Sequence, residues 1–178
     1  MSVRLLHLLG SPALRERAAE VGAVGPEVTT LVQDLFDTMR AAEGIGLAAN
    51  QVGVLRRVAV VDTGDGAPVV LIDPIIVERY GEERGEEGCL SIPDIYGEVD
   101  RATRVVVETT SDDGRRVQVA AVDLKARAIQ HEMDHLDGLL FLDRLSPLKR
   151  RMLLRKWQRS RKGATGFLKE LPPAAVRD

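Results

Sequence analysis

"QHEMDHLDG", residues 130–138, places His131 and His135 four residues apart with Glu132 beside the first. On a helix that spacing puts both imidazoles on one face, where they can meet a single cation with a carboxylate next to it, the HExxH pattern. The flanks supply the helix: Asp123 suits the cap of a segment running through "LKARAIQHEMDHLD", and Gly138 suits its end. The bland alternative is a polar helix face whose histidines are satisfied by hydrogen bonds. A catalytic tetrahedral site needs three protein donors and one open position, so two histidines leave one ligand to be found.

Downstream sequence is a poor source for it. Metzincins extend the pattern to HExxHxxG and place a ligand three residues on; Gly138 fits, but Phe141 stands at the ligand position. Zincins that use a glutamate about twenty residues after the second histidine would find Arg155 there. Upstream, "EEGCLSIPD" holds the only cysteine, Cys89, between Gly88 and Leu90. A lone cysteine is a buried small hydrophobe, a reactive thiol or a metal ligand, and as a thiolate Cys89 would complete a Cys, His, His set. A third stretch, "EGIGLAANQVG" (43–53), joins two glycines and small apolar residues to Gln51. Gly44 and Gly46 let backbone pass close to a ligand, and the Gln51 amide can donate to a developing oxyanion. Read alone, that stretch is equally a turn after a helix.

The rest of the chain frames these three stretches. "PEVTTLVQDLFDTMRAAEG" has Pro26 at a first helical position and Val28, Leu31, Val32, Leu35 and Met39 near helical spacing. Gly44 follows, so a helix is expected over 26–43. The runs 56–62, 68–80 and 104–123 are β-branched and apolar, with Asp113-Gly114 marking a hairpin turn in the last. Ser146-Pro147 starts a further helix. This order of helix, strands and two helices predicts an α+β domain, its antiparallel or mixed sheet packed around the HExxH helix, with a C-terminal helix beyond.

Composition limits the options. With 178 residues, 44% of them apolar, and a net charge of −2, the chain suits one domain with one sizeable core. Residues 1–162 are expected to form it, with 163–178 a flexible tail. No run of about 18 apolar residues occurs, and the apolar stretch at the N-terminus is too short for a signal peptide. A monomer in the cytoplasm with no membrane contact is expected. Charge is uneven: residues 146–162 carry eight Lys or Arg and no acid, the tail is neutral, and residues 1–145 carry −10. The basic helix is either a solvated face over an apolar stripe of Met152, Leu153, Leu154 and Trp157 or an RNA-contacting surface.

Taken together, GIGLAANQ, EGCLS and QHEMDHLDG, in this order and at these separations, resemble the three signature motifs of the bacterial and organellar peptide deformylase family. The resemblance runs from "VRLLHLLGSPALRERAAEV" through "LFLDRLSPLKR". It implies an amidohydrolase that removes the formyl group from the N-terminal formyl-methionine of new polypeptides, releasing formate. Cys89, His131 and His135 would hold one divalent ion, Fe²⁺ in the cell and replaceable by Zn²⁺, Ni²⁺ or Co²⁺; a soft thiolate with two imidazoles suits such late metals and disfavours Mg²⁺ or Ca²⁺. Glu132 would move the proton, and Gln51 with the backbone N–H of Leu90 would meet the oxyanion. Gly46, Gly88 and Leu90 would keep the site cramped enough to favour a formyl group. Leu124 and Ala128, on the His131 face of the helix, and Ile45 would line the methionine pocket, while Tyr96 stands near where some members carry a peptide-holding arginine. Family members act on chains emerging from the ribosome, so the basic helix would dock there, near the exit tunnel. Two rivals remain on the residues alone: an HExxH metallopeptidase, and a metal-stabilised ribosome-binding protein without turnover.

Overall fold

The computed structural model of the chain describes residues 2–172. Its elements in chain order are β1 (Leu6–His7), α1 (Pro26–Ala41), β2 (Gly46–Ala48), β3 (Val58–Val61), β4 (Val69–Tyr80), β5 (Glu83–Cys89), β6 (Ile92–Arg101), β7 (Arg104–Thr110), β8 (Arg116–Val122), α2 (Asp123–Leu136), α3 (Pro147–Ser160) and β9 (Leu168–Lys169). All named strand pairs are antiparallel. They form a five-stranded sheet of order β2-β3-β4-β7-β8 and two ribbons, β5-β6 and β1-β9. This is a mixed α+β fold with antiparallel sheets and three helices, as the sequence predicts.

Strand periodicity sets the layers. Successive residues of a strand face opposite sides, and β3 splits accordingly: Val58 and Val60 join a core with Val28, Leu31, Leu35 and Met39 of α1, while Ala59 and Val61 join a second core with Ile129 and Leu136 of α2. The sheet therefore lies between α1 and α2. On the α2 side the contact mixes small residues, Ala48 and Ala59 from the strands and Ala126 and Ala128 from the helix, with larger ones such as Leu71, Ile129 and Leu136. Full burial of each larger aliphatic side chain here, such as Ile129 or Leu136, stabilises the fold by about 1.5–3 kcal/mol.

Several boundaries differ from expectation for local reasons. α1 stops at Ala41, and Glu43 rather than Gly44 takes the left-handed position, with φ 55°. Asp123 does not cap α2 through its side chain. It is the first helical residue, with φ 50° and its N–H donated to Thr103 O, so its carboxylate complements the helix dipole instead. Gly138 does end α2, at φ 74°, and Ser146 accepts from Lys149 N at the start of α3. Met152 is exposed, so the stripe that α3 lays on the core is Leu153, Leu154 and Trp157 only.

After α3 the chain continues into the C-terminal tail. Over its described part, β9 pairs with β1, Leu8 N donates to Phe167 O, and Leu171 packs against the core; residues 173–178 lie outside the described residues.

Candidate metal centre and cleft

The three sequence stretches meet at one point. β5 delivers Cys89 at its end, the last turns of α2 deliver His131 and His135, and between them sits a short 3₁₀ turn, Ala49–Val52, that follows β2. Within that turn Asn50 reaches one way, its Nδ2 donating to His135 O, and Gln51 reaches the other, its Nε2 donating to Ser91 Oγ at 3.1 Å and lying 3.7 Å from Cys89 Sγ. Ala48 N donates to Gln51 Oε1 at 2.9 Å, which fixes the amide's orientation.

Cys89 Sγ lies 3.3 Å from His135 Nε2, which is 3.2 Å from His131 Nε2, and the three ligand atoms all fall within 4.8 Å of one another. Tetrahedral bond lengths for a late divalent metal give S···N and N···N edges of about 3.6 and 3.3 Å, so the donor set fits such an ion in both chemistry and spacing. Among the described residues it is the one cluster of three or more His, Cys, Asp or Glu side chains convergent enough to hold a metal. Phe141 takes no ligand place; it is buried, with its ring stacked 6.3 Å from that of His131. Arg155 is an exposed residue of α3.

Behind the histidines lies a charge network that the motifs did not indicate. Glu87 Oε2 pairs with His131 Nδ1 at 2.9 Å, which leaves His131 Nε2 for the cluster. The same carboxylate accepts from Arg101 (2.8 and 3.0 Å) and Arg127 (3.0 Å), and Arg101 also donates to Asp134 at 2.7 Å. Burial raises the Glu87 pKa, but hydrogen bonds from His131 and Arg101 outweigh it and hold the group at about 2. Burial and the charge of His131 push His135 down. On His131 itself burial also works downward, yet Cys89 and Glu87 beside it leave its pKa raised.

A cavity of about 610 Å³ opens on this cluster. Cys89, His131, Glu132 and Gln51 line it, together with Leu90, Gly46 and Gly88; Ile45, Leu124 and Ala128 form an apolar part of the wall, and Tyr96 is at the rim. Of the residues that the sequence assigns to the site, all but His135 line the cavity, and His135 is buried beside His131. Glu132 is 4% exposed, its Oε2 has no hydrogen-bond partner among the described residues, and burial pushes its pKa up to about 7 against the opposing charge of His131. Gly46 is required by close approach: a Cβ there would stand 2.4 Å from Glu132 Oε1.

Comparison with known proteins gives the family. The polypeptide deformylase family model matches residues 3–151. A peptide deformylase of Thermomicrobium roseum is 49% identical over 153 residues, 82% of this chain and 87% of that protein. Among solved structures, a peptide deformylase from Legionella pneumophila superimposes with a TM-score of 0.85 at 40% identity, covering 90% of this chain and 96% of the other. The Ehrlichia chaffeensis peptide deformylase, solved in complex with actinonin, gives 0.87 at 34% identity over 93% and 100%. The chain is thus an enzyme, a hydrolase, and it belongs to the polypeptide deformylase family.

Proposed function

We propose that this enzyme removes the formyl group from the N-terminal formyl-methionine of newly made polypeptides in the cytoplasm, as a monomer, and that Cys89, His131 and His135 hold the divalent ion it needs. The observation that carries the proposal is the convergence of those three donors beside a buried carboxylate and an oriented amide. Iron(II) is the ion assigned in the cell, with zinc, nickel or cobalt as substitutes, because a thiolate and two imidazoles favour this group of metals. When bound, the ion lowers the pKa of water and polarises the formyl oxygen.

The side chains then have separate tasks. The methionine side chain lies against Ile45, Leu124 and Ala128. Glu132 takes a proton from the water that attacks the formyl carbon, and returns it to the departing nitrogen as the C–N bond breaks and formate leaves. Burial works against the charged form of Glu132 and so favours its picking up that proton. Gln51 Nε2 and the backbone N–H of Leu90 donate to the oxygen as it gains charge; one such donor is worth about 2.7–4 kcal/mol. Gly46, Gly88 and Leu90 wall the site and disfavour acyl groups larger than formyl.

Incubation with a formyl-methionyl peptide distinguishes the readings. A deformylase releases stoichiometric formate and keeps the peptide whole, a metallopeptidase frees amino acids, and a non-catalytic binding protein does neither. Docking of α3 near the ribosomal exit tunnel is a second proposal. It is supported by the exposed Lys and Arg residues on the side of α3 away from Leu153, Leu154 and Trp157, of which only Lys149 and Arg150 make ion pairs among the described residues. Neutralising residues 149–162 should weaken ribosome binding in a salt-dependent way; unchanged binding would return α3 to a solvated face.

A further inference from the structure

The segment after α3 lies beyond the part of the chain that the family model matches, yet it returns to the catalytic cleft. β9 pairs with β1, placing Lys169 opposite Leu6, and the chain leaving β1 is bonded to the metal-bearing loop through Leu9 N to Ser91 O at 2.9 Å. Phe167 lies on Gly10, and Leu171 packs on the core. Lys169 stands directly opposite the buried Leu6, so the two share a side of the ribbon, and the exposed Lys169 side chain lines the same cavity as Gln51, Cys89 and Glu132.

The charges around it make this position unusual. Three exposed carboxylates, Glu43, Glu86 and Asp94, also line the cavity, giving it an acidic rim. The other cation in the lining, Arg127, is committed to Glu87, Val99 O and Glu83 O. Among the described residues the Lys169 ammonium takes part in no ion pair, so it is the one cation of the cleft left available to a ligand.

We infer that Lys169 is a specificity-determining residue, presenting its ammonium to an acidic side chain at one position downstream of the formyl-methionine in the bound polypeptide. The inference rests on the deformylase reading. Elsewhere along the cleft the acidic rim disfavours acidic side chains, so Lys169 creates a single exception to a general preference for neutral or basic sequence.

The test is a series of formyl-methionyl pentapeptides, neutral but for one Asp, Asn or Lys moved through the second to fifth positions, with kcat/KM read from formate release at low and high ionic strength. For the parent enzyme one position should favour Asp over Asn by about two- to fivefold, the range for an exposed ion pair, carried in KM and abolished by salt. Lys169→Met, which keeps the apolar stem, should bring that ratio to one, and Lys169→Glu should invert it. Melting temperature and metal content are recorded for both variants to show that β9 stays docked. Turnover with Asp-to-Asn ratios that are the same in all three proteins would overturn the role of Lys169 alone, whereas failure of the parent to release formate from any peptide would overturn the reading beneath it.

Discussion

Gly46→Ala isolates the placement of the Glu132 carboxylate. The added Cβ would lie 2.4 Å from Oε1, 2.9 Å from Cδ and 3.0 Å from Cγ of Glu132, where ordinary contact begins at 3.4 Å. The carboxylate must therefore retreat by about 1 Å, and displacement of a catalytic group by that distance costs on the order of 10²-fold in rate. Alanine is compatible with the backbone, because Gly46 is not among the glycines with positive φ. Fold and metal content should thus be retained. The assay is formate release from a formyl-methionyl peptide, with kcat and KM separated and metal measured by elemental analysis on the same sample. A fall of about 10² in kcat at near-parental KM and full metal content is expected. Parental kcat would refute the claim that this wall positions Glu132, and a change confined to KM would mean that Gly46 serves only substrate entry.

Two further perturbations address the neighbours. Gln51→Ala should keep the metal and lower kcat by roughly 10²–10³, since one oxyanion donor is lost; full activity would remove Gln51 from that role. Glu87 supplies a pH dependence. Its folded-state pKa is depressed to about 2 from an ordinary 4.5, so its contribution to stability is complete above about pH 4.5 and is lost as pH falls through 2. That contribution is about 3 kcal/mol at most. In urea unfolding of metal-free protein, the stability difference between parent and Glu87→Gln should shrink over that window, and a difference that stays constant from pH 6 to 2 would contradict the network described.

What the sequence conveyed and what it withheld have physical causes. The apolar spacing of α1, the β-branched runs of β3, β4, β7 and β8, and the HExxH helix are local patterns, and each appears in the structure close to its expected place. The β5-β6 ribbon was not legible, because "ERGEEGC" is rich in Gly and Glu, which are poor strand formers. Its extended form depends on pairing along the length of β6. Glu87 is hidden for the same reason: its place beside the histidines follows only once β5 is formed and brings its carboxylate to His131 Nδ1. Arg101 and Asp134 join the site only through tertiary contact. The pairing of β9 with β1 comes with Phe167 on Gly10 and Leu171 on the core, contacts between distant parts of the chain that no local pattern announces.

The proposed centre has Cys89 as third ligand and Glu132 as proton carrier at the same ion, so the most direct measurement is metal stoichiometry and formate turnover determined together on Cys89→Ser and Glu132→Gln. Glu132→Gln keeps the side-chain shape and removes the base; it should hold metal at close to parental occupancy and lose nearly all turnover. Cys89→Ser should fail earlier, losing the metal and turnover with it. A Cys89→Ser enzyme that binds metal as tightly as the parent and deformylates as fast would show that the cysteine is not a ligand, and the proposed centre would be wrong.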